Sequence, residues 1–406
     1  MERDDVDKTV YRGTEELEGR RLASRPLRFP VSPILSSLAA FTLLTLATVG
    51  CGSDPTPDVL EGPGDPSVAV PFNPRTYVVQ RAAEAPQIDG QLTEAAWQGA
   101  AWTEPFVDIQ GAAQPAPRFR TRAKMLWDST HFYVAAQLEE PDVWATLTER
   151  ESIIYYDNNF EVFIDPDGDT HNYYELEVNA LGTVWDLMLL KPYRDGGPAL
   201  DAWDIRGLQV GIDIQGTLNN PRDTDDGWTV EIAMPWSILE EAAPGGQPPQ
   251  PGDQWRLNFS RVEWQTVAEN GTYRKVTDPE TGEPLDEDNW VWSPQGAINM
   301  HMPERWGTIQ FTGAPAGEAA PAFRPDPNQP TRWALRRLYY RQRRFADEHG
   351  RYADRLSLLR AEDLLADSIA FAPRLRTTAS LYEVTAPGAD STVLHIQQDG
   401  RAWTTN

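Results

Sequence analysis

The sequence predicts an all-β main domain, a two-sheet antiparallel β-sandwich of immunoglobulin or jelly-roll type, followed by a small α+β appendage. Three observations carry this expectation. Apolar and polar residues alternate through many short runs, turn-forming clusters break those runs at short intervals, and helical periodicity is scarce before residue 331. A chain of 406 residues is long enough for one large core plus tails.

In chain order, residues 1–50 read as a signal or anchor segment. The uncharged run 31–50 ends in small residues at Cys51, the sole cysteine. "TVGC" resembles a bacterial lipobox, which implies cleavage before Cys51 and lipidation of that cysteine. A single transmembrane anchor is the other reading. The charged stretch 1–30 is long for the start of such a signal, so translation beginning near Leu27 is a further expectation. Either way the protein is expected to be exported and membrane-anchored, at the outer membrane or the cell surface, with no disulfide. Residues 51–74 are rich in Pro, Gly and Asp and read as a tether.

The main domain spans 75–312. "LTEAAWQGA" is its one helical stretch, and "RAKMLWDSTHFYVAAQLEEP" gives two strands joined at "DST", with Phe132, Val134, Ala136 and Leu138 on one face. "WTVEIAMPWSIL" turns Val230 and Ile232 inward before Pro235 ends the strand, and "QWRLNFSRVEW" alternates likewise. "DPDGD", "NALG" and "TDDGW" are the turns. A Pro-rich linker, 313–330, leads to 331–406, where Leu338, Gln342, Phe345 and His349 recur at helical intervals before Gly350. Two strands, "SLYEVTAP" and "STVLHIQQ", then suggest a hairpin. The basic face of that helix is either solvated or docked on the acidic main domain.

Charge narrows the partners. Lys and Arg total 36 against 61 Asp and Glu, a net charge of -25 that repels phosphate backbones and argues against nucleic acid.

Strand parity sorts the acidic residues. In "FEVFID" and "YYELEVN", Phe160, Val162, Ile164, Tyr174, Leu176 and Val178 fall on one face, and Glu161, Glu175 and Glu177 fall on the other. Asp165, Asp167 and Asp169 belong to the turn between. Their alternate spacing leaves calcium as an option, although the Gly and Glu positions of an EF-hand loop are occupied by Thr170 and Leu176; a tight turn with Gly168 at positive φ is the plainer reading. Of the 15 tryptophans, Trp97, Trp127 and Trp228 follow the core pattern, whereas Trp290, Trp292 and Trp306 flank a loop carrying Asn289, Asn299 and His301 and are candidates for stacking. Arg261, beside Glu263, either orients a ligand or holds an ion pair, and Arg150 reads as structural.

"PQIDGQLTEAAW", "MLWDSTHFYVAAQLEEP", "DNNFEVFIDPDGD", "WTVEIAMPW" and "WSPQGAINMHMPERWGTIQF", in that order over Val78–Phe311, resemble the family 9 carbohydrate-binding modules and their bacterial relatives. The resemblance implies a sandwich that binds oligo- or polysaccharide without catalysis, often beside glycoside hydrolase domains, with calcium in some members. It places the hydroxyl-binding Glu on Glu161. The first clamp aromatic falls near Tyr155 or Tyr156, and the second near Met300, whose nearest aromatics are Trp292 and Trp306, so both clamps depart from the family pattern.

The expected carbohydrate site therefore comprises Tyr155, Tyr156, Asp157, Asn158, Glu161, Glu175, Glu177, Arg261, Trp290, Trp292, His301 and Trp306, with no cofactor required. Its expected role is glycan capture in support of carbohydrate catabolism. Three alternatives stand beside it: glycoside hydrolysis by a pair of these acids, b-type haem held by Met300, His301 or Met302, and an envelope scaffold without ligand.

Overall fold

The computed structural model describes residues 71–364, 371–389 and 391–406. The anchor segment, Cys51 and nearly all of the tether thus lie outside the described residues.

The main domain contains β1 (Thr76–Arg81), α1 (Ala95–Gly99), β2 (Val107–Asp108), β3 (Thr121–Trp127), β4 (His131–Glu139), β5 (Asn159–Asp165), β6 (Tyr173–Asn179) and β7 (Val184–Leu189). It continues with β8 (Ala199–Leu200), β9 (Gln209–Gln215), β10 (Gly227–Pro235), α2 (Trp236–Leu239), β11 (Gln254–Glu263), β12 (Thr266–Glu269), β13 (Thr272–Lys275), β14 (Asp288–Val291) and β15 (Gly307–Pro315). One hydrogen-bonded path runs β8-β7-β6-β5-β11-β15-β1-β3-β4-β10-β9, and β14 pairs with β11 and β2.

This path doubles over into a sandwich. Phe160 and Val162 of β5, Leu176 of β6 and Phe259 of β11 share one buried cluster with Met125 of β3, Val134 of β4 and Ile232 of β10. Period-two alternation supplies both inner faces, as in sandwiches generally. One strand departs from the antiparallel expectation: β1 runs parallel to both β15 and β3. Residues 82–120, with α1 and β2 among them, supply the long crossover that a parallel β1–β3 pair requires. Trp97 of α1 covers the outer face of β3, β4 and β10, packing with Leu126, Tyr133 and Ala233.

The appendage has more strands than its apolar pattern predicts. Helix α3 (Gln329–His349) ends at Gly350, whose φ of +66 supplies the left-handed cap. A four-stranded sheet follows: β16 (Arg374–Thr377), β17 (Tyr382–Pro387), β18 (Val393–Gln397) and β19 (Ala402–Thr405). "RLRT" and "AWTT" are edge strands, too short and polar to show alternation in the sequence. Leu338 and Tyr339 are fully buried, and Gln342 binds the Ala353 backbone through both ends of its amide at 3.1 and 2.9 Å.

Two expected stacking residues sit in the sandwich interior instead. Trp290 lies edge-on to Phe119, and Trp292 packs against Phe259 with its six-membered ring over Gly307, where an added Cβ would lie 2.4 Å from the indole. Both fall on strand or strand-end positions whose parity points inward. Trp292→Ala should therefore cost about 3 to 5 kcal/mol in chemical denaturation. A loss below about 1 kcal/mol would contradict this placement.

Candidate functional site

The register of three strands builds the floor of the site. Glu161 pairs with Glu177 and Phe163 with Glu175 across β5–β6, while Glu177 pairs with Trp185 and Glu175 with Leu187 across β6–β7. Partners in register point the same way, so three glutamates and one indole share the face opposite the sandwich core.

Parity gives these side chains a common face, and the structure encloses it. Glu161, Glu175 and Glu177 are only 5%, 5% and 2% exposed, because segments on either side pack over the strands. At one end Tyr155 lies with its ring 4.8 Å from that of Tyr156 and 6.5 Å from that of Trp185. The Trp264 Nε1 donates to the Tyr155 carbonyl at 2.9 Å, and Lys275 Nζ stands 3.2 Å above the Trp264 ring. Exposed Tyr156 borders an open groove of about 930 Å³ that Trp144, Tyr273 and Lys275 also line. At the other end Trp306 packs on Phe163 and Tyr173 at 5.6 and 5.2 Å, donating to the Met300 carbonyl at 2.9 Å. His301 Nδ1 lies 3.0 Å from the Tyr173 hydroxyl, and exposed Tyr193 meets the His301 ring edge-to-face at 4.6 Å.

The floor is electrostatically unbalanced. Asn159 Nδ2 donates to Glu161 at 2.9 Å and to Glu177 at 3.4 Å, and its carbonyl accepts from the Val262 amide at 3.0 Å. Glu175 Oε2 is buried with no amide, hydroxyl or guanidinium donor among the described residues, and the Glu175 side chain has the neighbouring Glu177 carboxyl as its hydrogen-bond partner. Burial first, and a neighbouring carboxylate second, raise Glu175 and Glu177 well above the usual carboxylate range. Burial likewise raises Glu161 to about 7, against hydrogen bonds from Asn159 and Ser260. The Glu175 oxygen that lacks such a donor is a place where a ligand hydroxyl could bind.

Several expected site residues have other work. Asp157 accepts from the Thr146 and Leu147 amides, both at 2.8 Å, and from Asn179 at 3.0 Å, so its carboxylate ties two loops together. Asn158 bridges Glu140 and the Trp264 amide. Arg261 is fully buried on the core side of β11, where it donates to Glu140 at 2.7 Å and Glu263 at 2.8 Å and lies 5.2 Å from the centre of the Trp290 ring. It holds an ion-pair network, not the floor. Trp290 and Trp292 are core residues, and Trp306 supports a wall from beneath, only 1% exposed. Arg150 pairs with Glu151, Asp186 and Asp204, supplying the positive charge in that acidic cluster.

The three turn aspartates are likewise engaged. Their oxygens lie within 4.8 Å of one another, close enough to surround a cation. Yet Asp165 accepts from the Gly168 and Thr170 amides, Asp167 from the Asp169 amide, and Asp169 from the His171 amide and from Arg401 at 2.8 Å. Arg256 also lies beside Asp165, drawing its raised pKa back down. Arg401 takes one oxygen of Asp169, so a cation at this turn would share that carboxylate with the guanidinium. The haem candidates do not converge. Met300 packs with Phe163 and Trp306, Met302 enters the core of the appendage, and the His301 ring is held between Tyr173 and Tyr193.

Three contributors escaped the sequence reading: Asn159, Trp185 and Tyr193. Trp185 was detectable, since "NALG" closes the β6–β7 hairpin and fixes its register opposite Glu177. Tyr193 carries no such signal, because it lies in a single 3-10 turn, Tyr193–Asp195, too short to show periodicity in the sequence.

The raised carboxylates set the sign of a pH effect. Their ordinary value is 4.5, so above 4.5 the folded chain holds more protons than the unfolded one; the contribution of each group is full below 4.5 and is lost as pH rises through its folded value, which is about 7 for Glu161 and well above the carboxylate range for Glu175 and Glu177. Melting temperature should fall from about pH 5 to about pH 8, and Glu175→Gln should flatten the decline and raise melting at the upper end. An unchanged slope in this variant would contradict the floor's charge imbalance.

Comparison with known proteins follows the same lines. No curated protein matches the chain by sequence. Among solved structures, a family 9 carbohydrate-binding module from Caldicellulosiruptor kristjanssonii in complex with cellotriose is 16% identical with a TM-score of 0.40, covering 62% of this chain and 100% of its own. The same organism's module in complex with glucose is 17% identical with a TM-score of 0.38, covering 61% and 100%. A candidate carbohydrate-binding protein from Bacteroides uniformis is 16% identical with a TM-score of 0.43, covering 59% and 100%. The sequence profile described as carbohydrate family 9 binding domain-like matches residues 88–314, more than half of the chain, and the protein belongs to that family.

Proposed function

We propose that the acid-floored slot binds the hydroxyl groups of an oligo- or polysaccharide without cleaving it. The observation that carries this is the buried group of three glutamates, in which one Glu175 oxygen has no amide, hydroxyl or guanidinium donor among the described residues, set between aromatic walls. The ionised form of Glu161 accepts from a sugar hydroxyl more strongly than a neutral group does, and the carboxyls of Glu175 and Glu177, held protonated by burial, can donate to a sugar oxygen as well as accept. Trp185, Tyr155 and Tyr156 offer ring faces to the apolar C–H side of a pyranose. Family membership, and the glucose and cellotriose bound to the Caldicellulosiruptor modules, indicate which ligands to try first.

The lipobox-like "TVGC" and the tether behind it support a wider role. An exported protein held at the membrane through Cys51 would capture glycan at the cell surface or outer membrane and so serve carbohydrate catabolism.

Calorimetry of the full chain against glucose, cellotriose and a broader oligosaccharide panel tests this reading. Glu161→Gln and Trp185→Ala should each weaken binding about ten-fold, the worth of a charge-assisted hydrogen bond or a stacked ring. Equal affinity in both variants would move the site elsewhere. Release of reducing ends during incubation would assign the acids to hydrolysis instead.

A further inference from the structure

Residues 331–406 were assigned no task by the sequence, yet their contacts with the main domain concentrate at one end of the slot. Met300 and Trp306 face Phe163 and Tyr173 at the floor, while Met302, between them in sequence, is buried with Leu335, Leu338 and Tyr339 in the core of the appendage. A single short segment therefore belongs to two hydrophobic clusters. Neither can move far without the other, because close-packed interiors transmit displacement.

Polar contacts reinforce this coupling. Glu304 is 3% exposed and accepts from the Tyr340 hydroxyl and from Arg194, the latter at 2.8 Å. Although burial disfavours its charge, Arg194, Arg336 and Tyr340 hold Glu304 down at about 2. Arg194 also donates to the His301 carbonyl at 3.2 Å, joining the Tyr193 turn to the same wall. From the appendage, Arg343 reaches Asp195 and the Arg194 carbonyl, both at 2.8 Å, and Tyr339 donates to Asp195. At the aspartate-rich turn, Arg401 reaches Asp169, Arg336 reaches the Thr170 hydroxyl at 3.3 Å, that hydroxyl donates to the Gly400 carbonyl at 3.1 Å, and the Ala402 amide donates to the Asp169 carbonyl at 3.0 Å. That turn leads directly into Tyr173 and Glu175.

We infer that the appendage is a positioning element of the binding site: it holds the Tyr193 and Met300–Trp306 wall against the glutamate floor. The inference rests on the proposed sugar site, and two measurements separate the two ideas. The full chain carrying Tyr340→Phe or Arg343→Ala is compared with wild type in cellotriose calorimetry and in hydrogen exchange of 193–195 and 300–306. Tyr340→Phe keeps the ring and removes one hydroxyl, and Arg343 is partly exposed, so both variants should fold.

Each should weaken cellotriose binding at least about three-fold and speed exchange in those two segments at least about ten-fold, with β3, β4 and β10 unchanged. A merely structural appendage would lower melting temperature while leaving affinity and wall exchange alone, which would overturn the inference. If wild type binds neither glucose nor cellotriose, the sugar reading is set back and exchange alone decides the wall: no acceleration there overturns it.

Discussion

Everything in the main domain turns on the two-residue period of the β5–β6 hairpin and on its register. With Glu161 opposite Glu177, every even-numbered side chain from Phe160 to Ile164 completes the sandwich core and every odd-numbered one joins the floor. A slip of β6 by one residue would turn Glu175 and Glu177 into a core made of Phe160, Val162 and Phe259 and turn Leu176 and Val178 out of it, a costly burial of unpaired acids. The turn at 166–172 pins that register. Asp165 accepts two backbone amides there, and Gly168 takes the positive φ that closes it.

The outer face of the hairpin shows how binding chemistry and stability pull apart. Three carboxyls are held under packed segments with one asparagine amide shared between two of them, and burial first, with neighbouring carboxylates second, raises their pKa values. A protein selected for stability alone would place apolar side chains there, as β3 and β4 do beneath Trp97. Keeping acids at such a place is consistent with a ligand rich in hydroxyls, which would supply the donors that the protein withholds.

Elsewhere buried charge is handled in the opposite way. Arg261 is enclosed with Glu140 and Glu263, Arg194 with Glu304 and Asp195, and in both groups opposite charges meet within hydrogen-bonding distance. These networks join segments distant in sequence. The first fastens β11 to the end of β4, and the second fastens the Tyr193 turn to the wall at Glu304. Removing one partner from such a group leaves an uncompensated charge, whereas removing a carboxylate from the floor relieves one. The contrast separates acids paired with arginine from the unpaired acids of the floor.

Local alternation was enough to reveal the sandwich, the helix stop at Gly350, and the common face of Glu161, Glu175 and Glu177, because side-chain direction along a strand follows from sequence position alone. The five ordered motifs also made the family legible. Tertiary structure decided the rest. Whether an acid is exposed or enclosed depends on segments far away in the chain, so the common face became a slot, and Trp290, Trp292 and Arg261 withdrew into the core. The aspartates at 165, 167 and 169 look alike to any sequence pattern; only the approach of Arg401, more than two hundred residues later, shows what Asp169 binds. The division of Met300, Met302 and Trp306 between two cores had no local signal at all, since an irregular loop takes its side-chain directions from what packs against it.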